Sequence, residues 1–150
     1  MNREVKFRGK YRNVWVVGDL VQYGIYKSIR AFGANPLEKP TEYMVVPESV
    51  GEFTGLKDKN GKEIFEGDLV AEIDNIEELQ KWGKPLTVVF GEFITDKDTW
   101  DLSNATTGFM LKYNDCEGTT GIHKIDNAYG FSCKTLLVIG NIFETPELLT

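Results

Sequence analysis

Two closely spaced turn signals in the middle of the chain constrain its fold more than any other feature. Asn60-Gly61 stands between short runs of β-forming residues, and this dipeptide accepts the two positive φ angles of a tight type I′ hairpin. Glu66-Gly67-Asp68 follows, where the glycine permits a positive φ and the aspartate can bond nearby amides. An alternating run from Leu69 to Ile73 comes next. The pattern predicts a hairpin, a turn and a strand in close succession.

The length and composition indicate a small protein with an ordinary core. A chain of 150 residues fits one domain, or one domain with a smaller lobe, and is long enough to bury a core without staples. Cys116 and Cys133 are too few and too far apart for a disulfide scaffold. The N-terminus has no apolar signal segment, and the run Leu136–Ile139 is far too short to span a membrane. We expect a cytoplasmic protein with reduced thiols and no membrane contact.

The hydrophobic pattern along the chain favours strands over helices. Runs rich in β-branched and aromatic residues are bounded by Gly, Pro, Asn or Asp, which is typical of short strands. The predicted strands are Glu4–Arg8, Asn13–Val21, Tyr23–Ala31, Glu42–Val46, Leu86–Thr95, Phe109–Tyr113 and Leu136–Phe143. Asp74–Trp82 is the one mid-chain helix candidate, and Thr145–Leu149 resembles a single helical turn. The segment Phe32–Thr41 is predicted to be a flexible loop.

A cluster of basic residues near the N-terminus is the strongest local charge feature. Side chains repeat every two residues on a strand, so Lys6, Arg8, Lys10 and Arg12 would share one face. One interpretation is a charged strand that keeps a sheet edge soluble. The other is a surface that binds nucleic acid, although the formal charge of −6 opposes long-range attraction to phosphate.

Three blocks of sequence resemble one protein family. The first is Arg3-Glu4-Val5-Lys6-Phe7-Arg8 with Trp15 and Gly18-Asp19-Leu20, the second is the run of 46–70, VPESVGEFTGLKDKNGKEIFEGDLV, and the third is the run of 138–149, VIGNIFETPELL. Together, in this order, they resemble the YopX family of phage and prophage proteins. We refer to the run of 46–70 as the hallmark segment. The blocks lie at both ends and in the middle of the chain, whereas residues 32–41 and 73–134 carry no part of the resemblance.

The resemblance implies a mainly β protein with minor α content. It implies an SH3-like β-barrel as the C-terminal domain over residues 50–150, behind a smaller β-rich N-terminal lobe over residues 1–49. It also implies a phage or prophage origin and a homo-oligomer, with no assigned enzymatic activity. The family motif includes turn residues that we expect to be structural, namely Gly55, Asp58, Asn60, Gly61, Gly67, Asp68, Gly140 and Asn141.

Residues with catalytic or metal-binding chemistry are sparse. His123 is the only histidine, so one chain cannot form a multi-histidine site, and a three-ligand set with the two cysteines lacks the usual tight spacing. The loop containing Asp96, Asp98 and Asp101 lacks the glycine and final glutamate of a calcium loop. Asp58, Glu66 and Asp68 in the hallmark segment are the best catalytic candidates, yet their spacing fits turn-building equally well. We predict no catalytic residue, no metal and no cofactor.

The surplus of aromatic residues points instead to binding. SH3-like barrels bind peptides or single strands through exposed aromatics, and Trp100 lies in a polar stretch where we expect it to be exposed. We therefore predict a non-enzymatic, self-associating module that engages a host or phage protein. Trp100, Arg8, Lys10 and Arg12 are the binding candidates. The alternative is a nucleic-acid-associated accessory protein that uses the basic N-terminal strand. An enzyme assembled across subunits from Asp58, Glu66 and Asp68 is a third hypothesis.

Overall fold

A computed structural model describes residues 4–35, 37–74, 76–78, 85–94, 105–114, 120–124 and 135–150 of the chain. These residues form strands and short 3₁₀ helices. The strands are β1 Phe7–Tyr11, β2 Val14–Tyr23, β3 Tyr26–Ala31, β4 Thr41–Val45, β5 Gly51–Lys57, β6 Glu63–Phe65, β7 Asp68–Ala71, β8 Leu86–Ile94, β9 Ala105–Asn114, β10 Thr120–Lys124 and β11 Leu137–Asn141. The 3₁₀ helices are Pro47–Ser49, Ile76–Glu78 and Pro146–Leu149. The predicted mainly β class is confirmed.

The chain divides into two compact units, which we name by their position. The N-terminal unit contains Met1–Leu56 and Glu63–Phe65, and the C-terminal unit contains Lys57–Lys62 and Glu66–Thr150. The N-terminal unit carries a six-stranded sheet in the order β4-β3-β2-β1-β5-β6. The C-terminal unit carries a five-stranded sheet in the order β10-β9-β8-β7-β11. The predicted division into domains of 1–49 and 50–150 stays a prediction.

The N-terminal sheet begins with two successive hairpins. β1 pairs antiparallel with β2 from Tyr11↔Val14 to Phe7↔Gly18, and β1 extends to Tyr11, three residues beyond the predicted end at Arg8. The segment Tyr23–Ala31, predicted as one strand, contains the second hairpin turn, because β2 continues to Tyr23 and β3 starts at Tyr26. Gly24 has φ +59 at the first central position, which is the geometry of a type II′ turn. At Gly18 and Asp19, β2 stops pairing with β1 and starts pairing with β3.

The N-terminal sheet curls, so that the end of β4 returns to β1. The backbone N–H of Val46 donates to the carbonyl of Lys10 at 2.9 Å, and the Ser49 hydroxyl accepts from the N–H of Lys10 at 2.7 Å. Burial of apolar side chains on the inner side forms the core of this unit. The core residues are Ile29, Val45, Phe53, Ile64 and Phe65.

In the C-terminal sheet β7 lies between β8 and the edge strand β11, and all four of its residues are buried. The long strands β8 and β9 pair in register from Thr87↔Lys112 to Ile94↔Ala105. The core consists of aliphatic and methionine side chains of β7, β8, β9 and β11 and the segments beside them, namely Leu69, Val70, Ala71, Ile73, Val88, Met110, Leu111, Leu136 and Val138. Among the described strands no pairing joins β10 to β11, so the sheet is open there.

The non-strand predictions have mixed outcomes. Of the predicted helix Asp74–Trp82, the described residues 76–78 form a 3₁₀ turn, whereas Asn75 and residues 79–82 lie outside the described residues. A run this short cannot sustain an α-helix by its own propensity. The predicted C-terminal helical turn is present as the 3₁₀ helix Pro146–Leu149. In the loop before β4, Asn35 Oδ1 accepts from the N–H of Leu37 at 3.1 Å, and the flexibility of this loop stays a prediction.

Candidate functional site

The basic residues at the start of the chain bind aromatic and acidic side chains of their own unit. The ammonium of Lys6 lies 2.6 Å from Glu63 Oε1 and 3.2 Å from Glu4 Oε1, and 4.5 Å from the Phe53 ring centroid. The hydrogen bond to the Glu63 carboxylate is the largest of the effects that raise the pKa of Lys6 above its ordinary value. Lys6 is therefore held as a cation inside a local ion-pair network.

Arg8 and Lys10 contact the same tryptophan. The Arg8 guanidinium lies 4.7 Å from the Trp15 ring centroid and 4.9 Å from that of Phe65, and the residue is only 9% exposed. The Lys10 ammonium lies 5.2 Å from the Trp15 ring. Cations over aromatic faces are attracted by the ring quadrupole, more strongly when water is excluded. This strand face is a packed cation–aromatic ladder, and its most buried member cannot reach a phosphate without leaving the rings.

Arg12 does not continue the basic strand face, contrary to the prediction. It lies in the β1–β2 turn with φ +52, the only positive φ of a non-glycine residue among the described residues. Its guanidinium lies 5.2 Å from the ring of Tyr11. The strand ends at Tyr11 because a two-residue hairpin requires a left-handed conformation at its first central position.

The carboxylate of Asp58 organises the turn in the hallmark segment. Its Oδ1 accepts hydrogen bonds from the backbone N–H groups of Asn60 and Lys62, both at 2.9 Å. Its Oδ2 accepts from the N–H of Val138 at 3.0 Å, and the residue is 6% exposed. The N–H of Lys59 donates to the carbonyl of Leu136 at 2.9 Å. The turn therefore covers the free edge of β11, which would otherwise expose unpaired backbone groups.

The hairpin turn itself differs from the predicted type I′. Gly61 has φ +82, whereas Asn60 does not have a positive φ, so only one of the two required positive angles is present. The N–H of Gly61 donates to the carbonyl of Asp58 at 2.9 Å, and the N–H of Asp58 donates to the carbonyl of Lys62 at 2.7 Å. This is the three-residue loop with a left-handed glycine at its end. The Asp58 side chain favours it, because the carboxylate bonds the amides of this wider loop.

The second predicted turn is one residue shorter than expected. Gly67 has φ +86, donates its N–H to the carbonyl of Val88 at 2.8 Å and accepts from the N–H of Ile142 at 2.9 Å. Asp68 lies within β7 rather than in the turn, is 1% exposed and pairs in register with Asn141. Glu66 lies in the turn and is half-buried. Of the three candidate catalytic carboxylates, that of Asp58 accepts hydrogen bonds from backbone amides with both of its oxygens.

Gly140 and Asn141 close the C-terminal segment. A Cβ on Gly140 would lie 2.1 Å from Thr145 Oγ1, so no other residue fits without displacement of the chain. Asn141 Oδ1 accepts from the N–H groups of Phe143 and Glu144 at 3.0 and 2.8 Å, and its backbone N–H donates to Thr145 Oγ1 at 3.0 Å. These contacts fix the backbone between β11 and the C-terminal 3₁₀ helix. Gly55 lies in β5 with φ +85.

Several predicted residues fall on parts of the chain that are not described. Trp100, Cys116, Cys133 and the three aspartates Asp96, Asp98 and Asp101 lie outside the described residues, as does the side chain of His123. Within the described ranges, no group of three His, Cys, Asp or Glu side chains is arranged to hold a metal ion. No helix in that part of the chain is long and apolar enough to cross a membrane.

The structure reveals an exposed apolar face that the sequence interpretation did not identify. The register of β2, β3 and β4 places Tyr23 opposite Tyr26, and Val21 in one row with Ser28 and Met44. Tyr23, Tyr26 and Met44 are 55%, 56% and 63% exposed. We call Val21, Tyr23, Tyr26 and Met44 the tyrosine face. An ion pair between Arg30 and Glu42 at 3.4 Å lies beside it on the same strands.

A sequence signal for the tyrosine face was present. Gly24-Ile25 is a two-residue hairpin turn of the glycine-first type, and such a turn places the residues on either side of it opposite each other. Treating 23–31 as one strand hid this pairing. With the turn recognised, alternation would place both tyrosines on one face.

Comparison with known proteins places the chain in a family. A search of curated proteins gave no match. Among solved structures, the crystal structure of protein EF1440 from Enterococcus faecalis matches with 22% sequence identity, 99% coverage of this chain, 100% coverage of that chain and a TM-score of 0.41. The family model described as YopX protein matches residues 6–150. Because this match covers almost the whole chain, the chain belongs to the YopX family.

Proposed function

We propose that this chain is a non-enzymatic protein-binding module that self-associates through its tyrosine face and engages a second protein. The observation that carries the proposal is the exposure of Tyr23, Tyr26 and Met44 side by side on one sheet face. Tyrosine and methionine are enriched in protein interfaces because they bury much area at low conformational cost. A contiguous exposed apolar face is also unusual unless it serves as an interaction surface.

The distribution of charge supports association through the N-terminal unit. This unit contains eight Lys and Arg residues against seven Asp and Glu residues, so it is close to neutral. The C-terminal unit contains nine against sixteen, and therefore carries all of the net negative charge. Two copies that approach through their C-terminal units would repel each other, whereas contact through the N-terminal units costs little electrostatic energy.

The finer features of the proposal follow from family resemblance. We propose that the C-terminal unit forms an SH3-like barrel and that the protein acts in the bacterial cytoplasm as a phage or prophage product. The open five-stranded antiparallel sheet of the C-terminal unit is compatible with such a barrel. The packed ladder around Arg8 weighs against the nucleic-acid alternative, since a buried guanidinium cannot release phosphate counterions.

Light scattering over a dilution series tests the proposal. Wild-type protein should form a discrete oligomer at micromolar concentration, and the double variant Tyr23→Ser, Tyr26→Ser should dissociate at concentrations at least tenfold higher, since each tyrosine buries a large apolar area in the interface. Phe32→Ser is the matched control, because Phe32 is 60% exposed but lies after β3, outside the face. A wild-type monomer throughout, or equal effects of the control and the double variant, would contradict self-association through this face.

A further inference from the structure

Strand β4 is the outer strand of the N-terminal sheet, and among the described residues only the position that follows it is bonded to β1. It pairs with β3 over five consecutive positions, from Lys27↔Val45 to Ala31↔Thr41, without a register shift. Its sequence, TEYMV, contains neither proline nor lysine, the residues that most often protect an exposed edge. The backbone bond from Val46 to Lys10 comes only after the strand has ended.

The alternation of an antiparallel ladder identifies the free backbone groups of this edge. The N–H of Val46 bonds to β1 and so points away from β3. Backbone groups on a strand alternate in direction, so the N–H and carbonyl groups of Met44 and Glu42 point the same way. The ion pair between Glu42 and Arg30 agrees, because residues opposite each other at a non-hydrogen-bonded position have the closest side chains. The outer edge therefore offers two donors and two acceptors.

The chain treats the edge of its other sheet differently. There the Asp58 carboxylate accepts from the N–H of Val138, and the N–H of Lys59 donates to the carbonyl of Leu136, so the edge of β11 is occupied. No comparable contact to Thr41–Met44 is present among the described residues. The edge of β11 is thus covered by the protein itself, whereas Thr41–Met44 lie beside an exposed apolar face with no such cover from the described part of the chain.

We propose that β4 binds an extended segment of a different protein as an added antiparallel strand. The inference rests on the proposed function and names the chemistry of its partner. The added strand would place one side chain opposite Met44 and another, two residues later, opposite Glu42. An apolar residue suits the first position, since Met44 and Tyr26 are exposed there. A basic residue suits the second, since Arg30 contacts only Oε2 of Glu42, at 3.4 Å, and the acid is exposed.

Charge complementarity favours a different chain over a second copy at this edge. Two copies of β4 could pair about a two-fold axis through the outward N–H and carbonyl groups of Glu42 and Met44. In that register Glu42 of each copy would lie opposite Met44 of the other. Each charge would then face an apolar side chain, and neither site would be matched. A segment with the pattern apolar, any residue, basic satisfies both positions at once.

Binding of a short peptide tests the inference. The probe is a fluorescently labelled peptide, Thr-Val-Thr-Val-Thr-Lys-Thr, and its partner control has Glu in place of Lys. Fluorescence anisotropy with the full chain should show that the Lys peptide binds at least tenfold more tightly than the Glu peptide. Glu42→Gln should reduce this preference to about threefold or less, since the opposite-charge pair is lost. No binding of either peptide, or equal binding of both, would overturn the inference.

Two further variants separate the edge from the face. Met44→Pro removes an outward N–H that β3 does not use, so the strand should stay folded by circular dichroism while peptide affinity falls at least tenfold. Met44→Ala keeps the N–H and should bind within about threefold of wild type, because only one side chain is truncated. If Met44→Pro does not fold, Glu42→Pro tests the other outward N–H. Equal losses in Met44→Pro and Met44→Ala would overturn strand addition.

The result is independent of the oligomeric state. Failure of self-association in light scattering with retained peptide binding would refute the tyrosine face as a homomeric contact and leave the β4 site intact. Conversely, the wild-type protein could bind neither peptide while the Met44→Pro variant fails to form the oligomer. That pair of results would show that a second copy occupies the edge of β4, and it would overturn the assignment to a different chain.

Discussion

Asp58 and Val138 are joined by a hydrogen bond from the backbone N–H of Val138 to the carboxylate of Asp58, 3.0 Å long and spanning 80 residues of sequence. The same carboxylate holds the amides of the hallmark turn. A side chain thus takes the place of a neighbouring strand at the edge of β11. This dual use gives the aspartate of the hallmark segment a structural role, because one carboxylate bonds the turn and the edge of β11.

Replacement of Asp58 should destabilise the protein more than replacement of any exposed carboxylate. Asp58→Asn keeps the shape of the side chain, but it removes the negative charge and puts an NH₂ group in place of one of the oxygens that accept from three backbone N–H groups. This change should lower the unfolding free energy by roughly 2–3 kcal/mol. Asp74→Asn is the matched control, since Asp74 is exposed and pairs with Lys59 at 2.9 Å; it should cost less than about 1 kcal/mol. Urea unfolding followed by circular dichroism measures both. Equal costs would show that the bond to Val138 carries no net stabilisation.

Gly140 should not tolerate a side chain. Gly140→Ala places a Cβ 2.1 Å from Thr145 Oγ1 and 3.2 Å from a methyl of Leu148, so the C-terminal segment must move. Overpacking of this kind typically costs about 1–3 kcal/mol. Gly108→Ala is the comparison within the same unit, because a Cβ there meets nothing within 4 Å, and we expect a change within about 0.5 kcal/mol. Thermal unfolding of the two variants distinguishes the sites, and a neutral Gly140→Ala would contradict this geometry.

Arg12 occupies a conformation that glycine adopts without strain. With φ +52, Arg12→Gly should stabilise the β1–β2 hairpin by about 1 kcal/mol, less the weak attraction of its guanidinium to the ring of the half-buried Tyr11. Asn13→Gly serves as the control, since Asn13 lies in the same turn without a positive φ and should lose stability through added chain entropy. The denaturant midpoint should rise in Arg12→Gly and fall in Asn13→Gly. A lower midpoint in Arg12→Gly would show that the backbone of Arg12 is not strained.

The Lys6 ion pair predicts a specific dependence on alkaline pH. The pKa of Lys6 is raised above 10.5, chiefly by its hydrogen bond to Glu63, so the folded state binds this proton more tightly than the unfolded state. Its stabilisation is therefore complete below pH 10.5 and lost as pH rises through the folded pKa. The difference in unfolding free energy between wild type and Lys6→Met should be constant near neutrality and shrink above pH 10.5. Lys39→Met, at an exposed loop position, should follow wild type at every pH.

Much of the strand pattern could be predicted because it depends on local chemistry. The β1–β2 hairpin and the strands β8, β9 and β11 follow from alternating apolar residues and turn formers, which act over a few positions. These features need no knowledge of distant contacts.

The remaining features depend on contacts that sequence periodicity does not record. The Asp58 carboxylate selects the wider hairpin loop over type I′ because it bonds amides as far away as Val138. Arg8 is buried because two aromatic rings, one of them Phe65 from β6, enclose its guanidinium. The exposure of Tyr26 depends on which strands cover it, and no local pattern distinguishes a covered face from an open one.

The most direct test of the proposed interface is fluorine NMR of protein labelled with 3-fluorotyrosine, recorded over a dilution series and assigned with single Tyr→Phe variants. If two copies meet through the tyrosine face, the resonances of Tyr23 and Tyr26 should shift with concentration, because association removes these rings from water. Tyr11 and Tyr43, whose rings pair with centroids 5.1 Å apart within the unit, should not shift. Concentration-dependent shifts confined to other tyrosines, or no shift across the range in which the oligomer forms, would contradict the account.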